Sequence, residues 1–213
     1  MLGRMLLALV CATVFSQGRS VAAEPWETAL LAGGCFWCVE SDFRRVEGVV
    51  DVLVGFAGGE VENPRYEDVV RGGTGHLEVA QIVFDPEKVS YAQILHLFMR
   101  SVDPLDEGGQ FCDRGAHYTT AIFADDEQRA VAEAALSRAS SDLGRQVVTP
   151  LRPLAKFWPA EDFHQGYAYS DSIVLTRFGP IPKRVAYRRY REACGRDARV
   201  IELWGEDAPF VPR

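Results

Sequence analysis

The 213-residue sequence predicts a layered α/β or α+β domain. Three observations point to it. Short runs rich in Val, Ile and Phe stop at Gly-Gly or Asp-Pro pairs, as strands do before a turn. Between these runs lie segments whose apolar residues recur at helical spacing. No internal repeat or low-complexity segment interrupts the alternation.

Ala29 to Ala32 is a short apolar run closed by Gly33-Gly34, which predicts a strand and a turn. Phe36 to Arg45 then has helical character. Val49 to Phe56 is Val-rich and reads as a strand that stops at Gly58-Gly59. Residues 62–75 form a loop, with Asn63-Pro64 as turn signal and a short helical piece from Tyr66 to Val70. His76 to Phe84 is a third strand, closed by Asp85-Pro86. Ser90 caps a helix whose Ile94, Leu95, Leu97, Phe98 and Val102 share a face. Asp103 to His117 is a long Gly- and Asp-rich loop, and loops of that length in a compact domain are often functional. Tyr118 to Phe123 predicts a strand, Asp126 to Leu143 an amphipathic helix, and Val147 to Leu154 an edge strand broken by Pro150 and Pro153. A Pro- and aromatic-rich segment follows Phe157, with a tail helix over Arg196 to Trp204.

The N-terminus has the pattern of a secretory signal peptide: Arg4, an apolar run from Met5 to Phe15, then the small residues Ser20-Val21-Ala22-Ala23. The run falls far short of the ~20 residues that span a bilayer. The residues before Cys11 do not form a lipoprotein cleavage box, so no lipid anchor is expected. The expected boundaries are 1–23 for the signal, 24–190 for the folded domain, and 191–213 for an irregular tail. Release into the periplasm or medium follows. Loss of Arg4 and Arg19, with no acid beside them, takes the net charge from −7 to −9. Such an acidic chain is a poor partner for nucleic acid or anionic membranes.

Four cysteines remain after cleavage: Cys35, Cys38, Cys112 and Cys194. Their spacing is unlike a dense structural disulfide framework. A strand, two glycines and a cysteine opening a helix is a recipe for a reactive thiol. The helix start carries partial positive charge and free N–H groups, which favour thiolate. Cys35 is therefore expected to be the nucleophile, with Cys38 one turn further in. The CxxC spacing alone also fits a thiol–disulfide oxidoreductase or half of a zinc site in a stapled binding domain. Phe36 and Trp37 beside the thiol suggest a small apolar cage, which suits a methyl thioether.

Seven ordered motifs extend this reading: GGCFWCVE (33–40), GFAGG (55–59), NPRYEDV (63–69), GHLEV (75–79), VDP (102–104), DRGAHY (113–118) and AEDFHQ (160–165). Together they resemble the A-type peptide methionine sulfoxide reductases over about residues 28–185. The resemblance implies a two-layer α/β sandwich of ferredoxin-like kind and reduction of the S epimer of methionine sulfoxide, free or in oxidised proteins. It implies no cofactor and no metal. It places Cys35 as nucleophile, Phe36 and Trp37 at the methyl pocket, Glu78 as the acid, and Asp113 and Tyr118 in the site. Along its strand Glu78 shares a face with Ala80, Ile82 and Phe84, and a carboxyl among apolar groups keeps its proton to higher pH. His76 and His164 are expected to be structural.

Two departures from the family pattern stand out. Phe56 replaces a Tyr common in GYxGG, leaving oxyanion stabilisation to Glu78 and Tyr118. Cys38 stands where many members have Gly. A second cysteine must capture the sulfenic acid formed on Cys35. Cys194, on a segment before Gly195 that is expected to be flexible, is the first candidate, Cys38 the second and Cys112 the third. A thioredoxin-like or other dithiol reductant then resets the enzyme, which is expected to be a monomer.

Overall fold

A computed structural model describes residues 26–211. The expected signal peptide lies outside the described residues. The chain begins with β1 (Glu27–Gly33), α1 (Phe36–Phe43), β2 (Val49–Ala57), α2 (Tyr66–Arg71), β3 (Leu77–Phe84) and α3 (Tyr91–Met99). A small hairpin of β4 (Gly109–Gln110) and β5 (Asp113–Arg114) precedes β6 (Thr120–Ala124), α4 (Arg129–Leu143), β7 (Leu151–Pro153) and β8 (Trp158–Pro159). A second hairpin, β9 (Ile173–Thr176) and β10 (Gly179–Pro182), leads into α5 (Lys183–Ala193) and α6 (Arg196–Trp204).

Six strands form one mixed sheet in the order β7-β6-β1-β3-β2-β8. Its centre, β6-β1-β3-β2, is antiparallel throughout, and only β7 runs parallel to its neighbour β6. With α1 and α3 as the connecting helices this is the split β–α–β–β–α–β order. Side chains alternate between the two faces of each strand. Ala29 and Leu31 of β1, Ala80 and Ile82 of β3 and Ile122 of β6 meet Val39 and Phe43 of α1 and Ile94, Leu95 and Phe98 of α3. The opposite face, with Leu30, Ala32, Val79 and Phe123, is covered by Ala155 and Phe157. Burying each large apolar side chain stabilises the fold by about 1.5–3 kcal/mol. Removing Phe43 or Phe98 would therefore open the α1–sheet or α3–sheet layer first.

Local signals explain the element ends. Ser90 accepts the Gln93 N–H at 3.3 Å while the Gln93 side chain accepts the Ser90 N–H at 2.8 Å, a reciprocal cap on α3. The strand expected from Tyr118 starts two residues later, because residues 116–118 form a 3-10 turn. The edge strand expected over 147–154 narrows to Leu151–Pro153, its prolines ending the pairing. The tail is not irregular throughout: α6 spans the Arg196–Trp204 helix expected from the sequence, and α5 runs up to Ala193 ahead of it. Arg196, at the start of α6, is buried and donates to the Ser101 carbonyl at 2.8 Å, which docks the helix.

Candidate active site

The turn after β1 delivers the thiols. Gly34 has φ +77°, and a Cβ there would lie 2.5 Å from the Gln110 Cβ, so only glycine fits. The Gln110 amide is itself fixed, accepting from Asp103 N–H and donating to Asp103 O, both at 2.8 Å. This packs the long loop against the turn. Cys35 is the N-cap of α1, with extended backbone (ψ 113°), and makes no side-chain cap. The helix start still needs partners for its free N–H groups. Glu78 supplies one from β3: its Oε2 accepts the Phe36 N–H at 3.0 Å.

Glu78 is 2% exposed and lies opposite Phe56 in the β2–β3 register, on the helix-facing side as its alternation with Ala80 predicts. Burial pushes its carboxyl from 4.5 up to about 8, aided by Asp113 and Cys38 and opposed by the Phe36 N–H. A carboxylic acid at this position keeps a proton to donate at neutral pH.

The Cys35 and Cys38 side chains are hydrogen-bonded to one another, and both thiols are free. The pair loses its first proton near neutrality. The Cys38 thiol drops to about 7, chiefly through the hydrogen bond from Cys35; burial opposes this, and Arg196 and Arg191 assist. Cys35 is pushed well above its ordinary value by that same bond, by burial, and by Glu78 and Asp113. The expectation that Cys35 would be the more acidic thiol is thus reversed. Its helix start faces two carboxyl groups, while Cys38 faces two guanidinium groups. The pair shares one negative charge across a hydrogen bond.

Phe36, Trp37, Tyr66, Phe111, Asp113 and Tyr118 line the same cleft, of about 480 Å³, as the four cysteines. Trp37 stacks on Tyr167 at 3.8 Å between centroids and on His164 at 5.7 Å; Tyr66 lies 4.4 Å from His164. The AEDFHQ segment holds this cage in place. Gln165 accepts from Val54 N–H at 3.0 Å and donates to Val54 O at 2.8 Å, and the Gly166 N–H donates to Glu40 at 2.8 Å. His164 is buried beneath the rings, and burial lowers its pKa, so it stays neutral and structural. His76 is structural too, accepting from Gly59 N–H at 3.1 Å and meeting Val61 O at 2.7 Å.

Of the sequence-predicted residues, Cys35, Cys38, Glu78, Asp113, Tyr118, Phe36, Trp37 and Cys194 converge on the cleft. Phe56 does not line it, contrary to its expected substrate-binding place. It is 0% exposed, with its ring 5.9 Å from Phe36, so it backs the pocket wall instead. A second phenol does line the cleft, on a residue outside the sequence-predicted set. Tyr66, in NPRYEDV, is a hydrogen-bond partner of Tyr118 and interacts with both Glu78 and Cys35. Burial raises Tyr66 to about 12 and Tyr118 higher still, so both remain neutral donors.

Cys194 is not free. It is joined to Cys112 by a disulfide across 82 residues, with the Cα atoms 5.0 Å apart. The segment expected to be mobile is the C-cap of α5, tied to the long loop. Asp113 adjoins both sulfurs, but sulfurs bonded to each other offer no thiolate to a metal.

A paired-thiol centre beside a buried acid, two phenols and an aromatic cage, at the start of the first helix of a mixed sheet, defines a thiol-dependent oxidoreductase for a small apolar-ended substrate. A model of the family described as peptide methionine sulfoxide reductase matches residues 27–192. Peptide methionine sulfoxide reductase MsrA 2 of Rhizobium meliloti (strain 1021) is 48% identical over 188 residues, 88% of this chain and 87% of that protein. The MsrA 2 protein of Caulobacter vibrioides is 39% identical over 202 residues, 94% of this chain and 97% of that one. Among solved structures, Mxr1 of Saccharomyces cerevisiae in reduced form superposes with TM-score 0.63 at 28% identity, covering 67% of this chain and 84% of that one. Methionine sulfoxide reductase A of Corynebacterium diphtheriae gives TM-score 0.61 at 29% identity, covering 70% and 76%. The chain belongs to the peptide methionine sulfoxide reductase family and is a peptide-methionine (S)-S-oxide reductase of the A type.

Proposed function

We propose that Cys35 is the nucleophile, Glu78 the general acid, and Tyr66 and Tyr118 the oxygen-binding donors. Asp113 supports the acid by keeping the Glu78 proton in place. Phe36 and Trp37 receive the substrate methyl group. The observation that carries this is the buried Glu78 carboxyl bonded to the Phe36 N–H beside Cys35, in surroundings that raise its pKa to about 8. The shared charge of the thiol pair moves to Cys35, whose sulfur attacks the sulfoxide sulfur. Glu78 protonates the sulfoxide oxygen, and the resulting hydroxyl passes from the substrate sulfur to the Cys35 sulfur. The substrate's S–O bond and the bond made in the attack both break, methionine leaves as the thioether, and Cys35 holds a sulfenic acid while Glu78 is left as carboxylate.

Cys38 then attacks that sulfenic acid, forming the Cys35–Cys38 disulfide and releasing water. Its contact with Cys35 favours it. Because Cys35 sits outside the helix as the N-cap, its backbone is not confined to helical geometry, which eases the bond. Cys194, expected to act first, takes second place, because its sulfur is bonded to Cys112. A reduced Cys112–Cys194 pair can exchange with the Cys35–Cys38 disulfide and become oxidised in its place. Two free thiols beside a Cys112–Cys194 bond is the distribution that this exchange would leave. A thioredoxin-like dithiol closes the cycle.

The chain acts in the periplasm or outside the cell after loss of residues 1–23. The N-terminal pattern supports this. The deciding assay offers both sulfoxide epimers with dithiothreitol. The S epimer should disappear and the R epimer remain, and Cys35→Ser should consume neither. An active Cys35→Ser, or equal loss of both epimers, contradicts the assignment.

A further inference from the structure

The hairpin of β9 and β10 is used by none of these steps, yet Val174, Leu175, Thr176 and Arg177 line the cleft that holds Cys35. Its solvent face is unusual. Along β9, Ile173 is 65% and Leu175 82% exposed, while Val174 and Thr176 turn inward. The wet face of an antiparallel hairpin is ordinarily polar. Phe163, 47% exposed, lines the same cleft. Exposed aliphatic and aromatic side chains at the mouth of a catalytic cleft mark a binding surface.

The backbone adds a direction. β9 and β10 pair only with each other, with Ile173 opposite Pro182, Val174 opposite Ile181, Leu175 opposite Pro180 and Thr176 opposite Gly179. Prolines have no N–H, so the ladder bonds fall at Val174–Ile181 and Thr176–Gly179. The N–H and C=O of Ile173 and Leu175 therefore turn to the outer edge of β9. On β10 the outward positions are Pro180 and Pro182, so that edge has no donors and resists strand pairing. One edge of the hairpin is closed and the other is open, and the open strand is the one on the cleft.

We propose that β9 is the polypeptide-binding strand of this reductase. An extended segment flanking an oxidised methionine pairs with the Ile173 and Leu175 backbone groups and lays alternate apolar side chains on theirs. The occupant is the substrate chain, because the open edge is continuous with the pocket where its oxidised residue reacts. The preferred substrate is an unfolded or loop segment with an aliphatic residue near the sulfoxide. A folded helix cannot offer an edge. The proposal rests on the reductase reading of the Cys35 site.

The test compares kcat/KM for free methionine S-sulfoxide, for an oxidised peptide with Val and Leu flanks, and for the same peptide N-methylated at those flanks, all with dithiothreitol. The double variant Ile173→Ser, Leu175→Ser should lose about tenfold on the plain peptide, as expected for removing apolar anchors. On the free sulfoxide it should match the wild type. The N-methylated peptide should already be poor with the wild type, and the variant should lose little further. Equal losses on free sulfoxide and peptide would overturn the proposal, as would no loss on either. So would a loss seen only when a protein dithiol replaces dithiothreitol, which would assign the surface to the reductant. A wild type inactive on free methionine S-sulfoxide would instead refute the reading of the Cys35 site.

Discussion

Glu78→Gln separates catalysis from stability in one residue. Glutamine has nearly the same shape and can still accept the Phe36 N–H that Glu78 takes at 3.0 Å, so the start of α1 should be preserved. It cannot donate a carboxyl proton. With its pKa raised from 4.5 to about 8, Glu78 is about nine-tenths protonated at pH 7; at its ordinary value it would be protonated less than about 1% of the time. Losing that acid should slow methionine release by roughly 10²–10⁴. The same shift acts on stability with a definite sign. The folded state binds the Glu78 proton more tightly than the unfolded state. The stabilisation from that proton is full below 4.5 and is lost as pH rises through about 8. By pH 7 the loss is of order 3 kcal/mol, from a shift of this size at about 1.4 kcal/mol per unit. A neutral glutamine carries no such loss. The variant should therefore be slower than the wild type yet more stable at pH 7, with similar stability near pH 4. Single-turnover methionine release against pH, with urea unfolding at pH 4, 6 and 8, measures both. An unchanged rate, or a stability gap that does not widen with pH, would refute the reasoning.

Further outcomes follow from the same geometry. The single-turnover rate of the wild type should rise as the thiol pair ionises near pH 7 and fall as Glu78 loses its proton near pH 8, giving a narrow bell; a flat profile from pH 6 to 9 would count against it. Tyr66→Phe should cost about 10²–10³ in kcat as a lost oxygen donor, measured at saturating substrate. Phe56→Tyr should leave the rate near wild type but cost about 1–3 kcal/mol in urea unfolding, since it forces a hydroxyl into a fully buried, already packed position. In a Cys35→Ser, Cys38→Ser background, reducing the Cys112–Cys194 bond should cost about 4–5 kcal/mol for a closure of 82 residues, read as a lower urea midpoint with dithiothreitol.

Much of this was legible where a local pattern reports a local constraint. Gly33-Gly34 before Cys35 forces a turn into a helix, and the alternation Glu78, Ala80, Ile82, Phe84 puts the acid on the helix-facing side. The rest depends on partners distant in sequence. The Cys112–Cys194 bond joins an irregular loop to the end of a helix, and no spacing rule connects them. Phe56 looked like a pocket residue because of its motif, but depth in a sheet is set by what packs over it, here Phe36. Tyr66 was hidden in a short helix whose own pattern reports only Val69 as buried. The β9–β10 hairpin has no clear signature in the sequence, because Pro180 and Pro182 erase the strand signal on one side while closing that same edge. The relative acidity of Cys35 and Cys38 follows chiefly from the hydrogen bond between them, with help from Arg196 and Arg191, more than 150 residues away along the chain.

The central claim, that the sulfoxide oxygen passes to Cys35, is tested most directly in a Cys38→Ser, Cys112→Ser, Cys194→Ser variant. One equivalent of methionine S-sulfoxide is added to the reduced protein without reductant, and the products are read by chromatography and peptide mass mapping after trapping with a sulfenic-acid probe. One methionine per chain should appear, with the probe on Cys35 alone. Methionine released with no probe on Cys35, or no methionine released by this variant while Cys35 remains a thiol, would contradict the account.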